Sequence, residues 1–284
     1  MDLSGVFFKK EMETGMNEKM VTAYLERIHE TLHDGREPEE LNDLIRSHIR
    51  TVPFENVDVA DFGMIPDLDE AKIYEKVIEK CRGGYCFELN KLCGSLISAL
   101  GYDVYPVAVR VMWNRDYIPP VSHMGLVAEI KGEKYYCDVG FGGPGPKGLL
   151  SLKESQQSIE GEQFRTVCAE DGDFLIERMH HGEWKQVLRF TDRKVRDEDF
   201  QLLNFYCARN EKVLFARTRV VNICIPGGSK ALQDRELTVR VNGEERRMIY
   251  ETKKELEACL EQEFGIRVTL PEGMEGGDIG YETI

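Results

Sequence analysis

The feature that most constrains the fold is a change of hydrophobic period at Gly101. Before this glycine, apolar residues recur at helical spacing in four segments, at residues 17–32, 38–52, 69–80 and 85–100. After it, short runs with the strand period follow one another at residues 104–113, 122–130, 134–139, 165–169, 174–179 and 183–190. Helices followed by strands favour a segregated α+β fold over an alternating βαβ sheet.

The last part of the chain mixes the two periods. A helical pattern over residues 197–207 precedes strand patterns over 213–225 and 236–241. Asn242-Gly243 predicts a tight turn, and a final helix is predicted over residues 252–264. We therefore predict an α+β protein in which a mixed α/β tail follows the central, mostly antiparallel strands.

Charge and composition exclude several classes of protein. The 284 residues contain 37 Lys and Arg against 51 Asp and Glu, a net charge of −14, which argues against nucleic-acid or anionic-membrane partners. No apolar run approaches the roughly 20 residues of a membrane span, and the first residues lack the pattern of a signal peptide. We expect a cytoplasmic protein whose eight scattered cysteines are free thiols.

The segment from Arg82 to Asn90 carries the first candidate for chemistry. Two glycines precede Cys86, which stands where a helical pattern begins. The helix dipole and the unsatisfied N–H groups of a first turn favour thiolate over thiol, as a nucleophile requires. A cysteine at the start of a helix also fits an ordinary small core residue, so this motif alone leaves both interpretations open.

A predicted hairpin places a histidine beside a carboxylate. If residues 131–132 are its central turn, His123 lies opposite Gly140 and Asp138 lies opposite Gly125. His123 and Asp138 are then diagonal neighbours on one face of the sheet, about 7–8 Å apart, and each faces a glycine that leaves room. The pair could orient a base for Cys86. The alternative is an exposed histidine and aspartate on a solvated strand.

A glycine-rich loop follows Asp138. It contains Gly142 and Gly143 and ends near Lys147, but it lacks the Gly-Lys-Ser/Thr pattern of a nucleoside-triphosphate loop. Its backbone N–H groups could hold a phosphate with Lys147 close by, so we predict that these three residues bind a cofactor. Such loops are also common as simple turns.

Together these segments resemble the arylamine N-acetyltransferases. The similarity runs from about residue 24 to residue 145 and is carried, in order, by residues 51–59, 82–90, 122–127 and 137–142. Its most specific elements are the sequence Pro-Phe-Glu-Asn at 53–56 and the Arg-Gly-Gly-x-Cys motif that ends at Cys86.

The resemblance implies a three-part architecture around a cysteine-protease-like catalytic core. A helical bundle over residues 1–101 would carry the cysteine. An antiparallel β-barrel over residues 102–205 would carry the histidine and the aspartate, and residues 206–284 would form an α/β lid.

The resemblance also implies a reaction. Cys86, His123 and Asp138 would form a catalytic triad in which the thiolate takes an acetyl group from acetyl-CoA. An aromatic amine or a hydrazine would then take the acetyl group from the thioester in a ping-pong sequence, without a metal.

Further residues take roles from the same resemblance. Arg82 would pair with Glu55 as a structural contact beneath the site. Phe54, Tyr85 and Phe141 would line the pocket of the aromatic acceptor, although all three also fit as ordinary core aromatics.

Three other functions fit the same residues. An amide synthase of polyketide assembly would use the triad on a large tethered acyl chain. A Cys-His-Asp hydrolase of the papain or transglutaminase type would use water or a peptide as acceptor. A non-catalytic relative would only bind aromatic ligands or a partner protein, and the presence of all three triad residues argues against it.

Overall fold

The computed structural model describes residues 15–31, 35–153 and 155–272. Within them lie the helices α1 Glu18–Arg27, α2 Pro38–Thr51, α3 Val57–Ala60, α4 Glu70–Tyr74, α5 Cys86–Ala99, α6 Asp197–Arg209 and α7 Lys253–Phe264. The strands are β1 Phe54–Glu55, β2 Asp103–Val111, β3 His123–Ile130, β4 Glu133–Cys137, β5 Leu150–Ser151, β6 Gln156–Ile159, β7 Glu162–Cys168, β8 Phe174–His180, β9 Glu183–Phe190, β10 Val220–Ile225, β11 Gly228–Gln233, β12 Glu236–Val241 and β13 Glu244–Ile249.

Each of the four helical patterns before Gly101 contains a helix. α1 begins after Asn17, whose side chain accepts a hydrogen bond from the Met20 N–H at 3.1 Å. This helix ends at Arg27, earlier than predicted, because His29 has a φ of 57°; Leu32, its predicted end, lies outside the described residues. α4 continues as a π-helical turn over Glu75–Glu79. Apolar side chains of α1, α2, α5 and β3 share one core, so the helices pack directly on the barrel.

β2 to β9 form one antiparallel sheet in the order β5-β4-β3-β2-β9-β8-β7-β6. The β3–β4 ladder runs from Leu126 opposite Cys137 to residue 130 opposite residue 133, which is the predicted register, and residues 131–132 form the turn with φ of 52° and 78°. The side chain of Gln157 on β6 accepts from the Ser151 N–H at 2.9 Å and donates to its carbonyl at 3.0 Å. These bonds join the two edge strands, so the sheet is a nearly closed barrel.

The second sheet has the order β1-β10-β11-β12-β13, and α7 packs on it. The predicted strand over 213–225 is a 3₁₀ turn at Leu214–Ala216 followed by β10, and sequence analysis missed β11 and β13. Most side chains of β13 are exposed, so it lacks the apolar alternation that marks a half-buried strand. Phe54 in β1 pairs with Asn222 in β10, so a residue of the helical region becomes an edge of the C-terminal sheet.

The predicted α+β class is therefore confirmed, with helices first, then a barrel, then a sheet with a helix. The predicted boundary between the barrel and the C-terminal part, at residues 205 and 206, falls inside helix α6. Within the described ranges, no helix is both long enough and apolar enough to cross a membrane.

Candidate active site

Cys86 is the first residue of α5 and lies almost entirely below the surface. Its exposed fraction is 2%. It packs in a cluster with Phe87 of the same helix, Met124 of β3, and Phe200 and Cys207 of α6. Helix α6 therefore covers the thiol, a contact for which the sequence gives no local signal.

The surroundings of Cys86 change its acidity in the direction opposite to our expectation. Burial raises the pKa of the Cys86 thiol well above its usual value, and the nearby Cys207 raises it further. Hydrogen bonds from the backbone of Met124 and Phe87 lower it, but by less. Sequence analysis expected the helix terminus to favour the thiolate, and burial acts against that effect at this position. A thiolate at this position needs a group beside it that takes the proton.

Asp138 is held by four hydrogen-bond donors. His123 Nε2 lies 2.6 Å from Asp138 Oδ2, and the Tyr136 hydroxyl donates to the same oxygen at 2.7 Å. The Asn90 side-chain amide and the Gly140 N–H each donate to Oδ1 at 2.9 Å. Burial alone would raise the pKa of Asp138, but His123 and these hydrogen bonds outweigh it and lower that pKa. Asp138 therefore remains a carboxylate.

Asn90 ties the helix of Cys86 to the strands of His123 and Asp138. It lies one turn after Cys86 on α5. Its amide nitrogen donates to the Met124 carbonyl at 2.6 Å as well as to Asp138, and its oxygen accepts from the Val139 N–H at 2.9 Å. One side chain thus fixes the position of α5 relative to both strands.

Gly140 permits the close approach of these elements. A Cβ atom at this position would lie only 2.7 Å from the Cα of Cys86 and 2.9 Å from Asn90 Nδ2. Any larger residue would push the strand end away from the start of α5.

Sequence analysis assigned no role to Asn90 or Tyr136. Both carried a signal that could have been used. Asn90 is four residues after Cys86, so the two side chains share a helix face. Tyr136 is two residues before Asp138, so the two share a face of the strand.

A second buried polar cluster lies next to the first. Arg82 Nε donates to Glu55 Oε1 at 2.8 Å, and the same guanidinium lies 2.9 Å from Asp58. Lys76 contacts Asp58 at 2.7 Å and Glu88 at 2.9 Å. Three carboxylates thus face two cations, and Arg82 forms the pair with Glu55 that the resemblance implies.

A cleft of about 700 Å³ opens between the barrel and the C-terminal sheet. Its lining includes the predicted residues Phe54, Phe141, Gly142, Gly143 and Lys147, together with Asp138. The Phe141 ring also contacts the His123 ring edge-on, with 5.3 Å between centroids, and so connects the cleft to the imidazole.

Tyr85 does not lie at this cleft. Its side chain is fully buried beneath the start of α5 and its ring packs on Phe87, 5.3 Å between centroids. In the described part of the chain, the active site included, no group of three or more His, Cys, Asp or Glu side chains is arranged to hold a metal ion.

Comparison with known proteins places this architecture in a class. A family model described as N-acetyltransferase matches residues 38–272, which include α2 to α7 and both sheets. The protein is therefore an acyltransferase.

Particular relatives define the family more closely. The arylamine N-acetyltransferase of Mycobacterium tuberculosis is 30% identical over 255 residues, covering 87% of this chain and 89% of the relative. Proansamycin X synthase of Amycolatopsis mediterranei is 32% identical over 191 residues, covering 66% and 74%. The chain belongs to the arylamine N-acetyltransferase family.

Solved structures show the same fold. The arylamine N-acetyltransferase of Salmonella typhimurium superposes with a TM-score of 0.83 at 27% identity, covering 88% of this chain and 92% of that one. The Mycobacterium marinum enzyme in complex with CoA has a TM-score of 0.80 at 26% identity, covering 87% and 92%.

Proposed function

We propose that this protein transfers acetyl groups from acetyl-CoA to aromatic amines or hydrazines by a ping-pong reaction through a thioester on Cys86. The observation that carries the proposal is the contact of His123 with a four-donor carboxylate that Asn90 ties to the helix of Cys86. A purely structural histidine has no use for this arrangement.

In the first half-reaction, His123 takes the proton of Cys86 and the thiolate attacks the acetyl carbonyl carbon. We assign the developing oxyanion to the backbone N–H groups of Phe87 and Met124, because both lie close enough to the sulfur to lower the pKa of the Cys86 thiol. The C–S bond to CoA then breaks, and the imidazolium returns the proton to the leaving sulfur. Asp138 stabilises the imidazolium throughout, as in other triads.

In the second half-reaction, the nitrogen of the acceptor attacks the thioester and His123 takes a proton from it. The C–S bond to Cys86 breaks, and the amide leaves. The cysteine then recovers its proton from the imidazolium.

The cleft offers space for both substrates. We place the aromatic acceptor between Phe54 and Phe141, because both line the cleft and Phe141 contacts His123. We place the phosphates of acetyl-CoA against the N–H groups of Gly142 and Gly143, with Lys147 as the counter-charge. Because Cys86 is only 2% exposed, we expect the side chains that cover it to move when the acetyl group enters.

One alternative has a specific observation in its favour. Proansamycin X synthase, a relative whose similarity covers 66% of this chain, is named as a synthase and not as an acetyltransferase. A donor with a larger acyl chain would use the same three residues. The donor preference therefore separates the two candidates.

Peptide mapping by mass spectrometry tests the proposal. Incubation with acetyl-CoA and no acceptor should add one acetyl group to the peptide of Cys86. Trypsin sites at Arg82 and Lys91 separate this peptide from those of Cys81 and Cys93. Addition of aniline or a hydrazine should remove the label, which should persist in buffer alone. Cys86→Ser should abolish the label, whereas Cys81→Ser, at an exposed thiol, should keep it.

The other outcomes are equally informative. Label only on Cys81 or Cys93 contradicts the nucleophile. Loss of the label in buffer indicates a hydrolase, and label only from thioesters longer than acetyl indicates a synthase. No label from any thioester indicates a non-catalytic binder.

A further inference from the structure

Two donors share one oxygen of the carboxylate that orients His123. His123 Nε2 and the Tyr136 hydroxyl lie 2.6 and 2.7 Å from Asp138 Oδ2, whereas Asn90 and Gly140 both bond Oδ1. His123 therefore shares its acceptor atom, Asp138 Oδ2, with the Tyr136 hydroxyl. A second donor stabilises the carboxylate anion, which makes it a weaker base and a weaker acceptor toward the first donor.

The fold makes room for this second donor. A Cβ atom on Gly125 would lie 2.5 Å from the Tyr136 hydroxyl oxygen and 2.6 Å from a ring carbon. Tyr136 pairs with Val127, so Gly125 is the neighbour two residues along β3 on the same face. Tyr136 is fully buried and its ring lies 5.2 Å from the ring of Phe190. Its hydroxyl is thus fixed on Asp138.

Within the described part of the chain, the groups on which the charge of Asp138 acts include the thiols of Cys86 and Cys93 on α5 and the Tyr136 hydroxyl and Cys137 thiol on β4, while Cys207 of α6 lies near Cys86. Burial raises the pKa of each of these groups, so all are uncharged at neutral pH. Burial raises the pKa of Tyr136 well above its usual value and the charge of Asp138 adds to this. Tyr136 therefore stays protonated, and remains a donor, throughout the neutral pH range.

We propose that Tyr136 is a positioning residue that weakens the grip of Asp138 on the His123 proton by sharing Oδ2. This inference rests on the proposed function. An imidazolium that is held less strongly passes its proton more readily to the departing sulfur of CoA. Tyr136 would thus set the balance between formation of the thiolate–imidazolium pair and release of the proton.

Tyr136→Phe removes the hydroxyl without changing the ring. The remaining His123–Asp138 hydrogen bond should strengthen, so the NMR resonance of the proton on His123 Nε2 should move downfield. The alkaline limb of the Cys86 acetylation rate should move up by about 0.5 to 1 pH unit, the equivalent of one hydrogen bond. Tyr24→Phe is the matched control, because it removes another fully buried hydroxyl, one that bonds His48. It should move neither signal.

A second variant, expected to shift both signals in the opposite direction, tests the proposal if Tyr136→Phe does not fold. Site-specific 3-fluorotyrosine at position 136 makes the hydroxyl a stronger donor and should move both signals the other way. Shifts in the same direction for both variants, or an unshifted resonance in a folded Tyr136→Phe protein, would overturn the proposal. The NMR resonance is measured without substrate. An unshifted resonance, which would contradict the role of Tyr136, can therefore be told apart from a lack of acetylation of Cys86, which would contradict the proposed function.

Discussion

Two buried polar clusters meet at the first turns of α5, and they are built differently. The site cluster centres on Asp138, whose donors are neutral apart from a histidine that can change its charge. The ion-pair cluster opposes the carboxylates of Glu55, Asp58 and Glu88 to Lys76 and Arg82. α5 contributes Asn90 to the first and Glu88 to the second.

This difference indicates which of the two clusters is suited to proton transfer. In the ion-pair cluster every charge depends on a fixed partner, and removing one leaves another buried and uncompensated. In the site cluster, the proposed function requires a proton to move between Cys86 and His123 while Asp138 keeps its four donors. We infer that the ion-pair cluster holds the start of α5 in place and that the site cluster moves protons.

The largest effect should come from the centre of the site cluster. Asp138→Asn should lower the rate of acetyl transfer about 10³- to 10⁴-fold, because a neutral amide no longer stabilises the imidazolium or its tautomer. Steady-state kinetics and thermal unfolding measure the two properties separately.

Asp192→Asn provides the control for this change. Asp192 is another partly buried aspartate of the barrel region and accepts hydrogen bonds from Tyr105 and Lys134, both at 2.6 Å. Its substitution should leave the rate within a few-fold. Near-normal transfer by Asp138→Asn would remove this residue from the mechanism.

A smaller effect, and on a different property, is expected from the ion-pair cluster. Arg82→Met should lower the free energy of unfolding by about 3 kcal/mol, because among the described residues it leaves Lys76 alone to oppose the carboxylates of Glu55, Asp58 and Glu88. Activity per folded molecule should stay within a few-fold. Urea unfolding and active-site titration are the measurements.

Arg247→Met removes an exposed cation that pairs with Glu245 and should leave the urea midpoint nearly unchanged. If Arg82→Met abolishes activity in a protein of normal stability, the separation of the two clusters is wrong.

The smallest effect concerns His48, a buried titratable group that belongs to neither cluster. Burial lowers the pKa of His48 to about 3, the Tyr24 hydroxyl lies 3.0 Å from Nδ1, and Nε2 has no partner within the described residues. Because folding lowers the pKa of His48, the unfolded chain binds a proton below pH 6.5 that the folded protein does not bind. The free energy of unfolding is therefore unaffected by His48 above pH 6.5 and falls as the pH is lowered from 6.5 toward 3. Between pH 7 and 5 we expect a loss of about 2 kcal/mol.

Urea unfolding at both pH values measures this loss. His48→Gln should remove most of the dependence, whereas His29→Gln, at an exposed histidine, should keep it. An unchanged pH dependence in His48→Gln would assign the loss to the polar clusters.

Local rules predicted a good part of this molecule. The hairpin arithmetic gave the β3–β4 register because a two-residue turn at 131–132 fixes the pairing of every later residue. The four helical patterns each contain a helix for a similar reason, since one apolar face packs on one core. β13 was missed because its side chains are exposed along most of its length, and β11 was missed because its mostly half-buried side chains show no alternation.

Sequence by itself determined the α+β class, the order of the elements, and the motifs that place Cys86 at a helix start and His123 and Asp138 on one hairpin. These are properties of residue spacing along the chain. Only the tertiary structure decided that α6 covers the thiol, that Asn90 and Tyr136 hold Asp138, and that β1 completes the C-terminal sheet. Desolvation depends on every neighbour in space, so the raised pKa of Cys86 could not be read from a helix terminus alone.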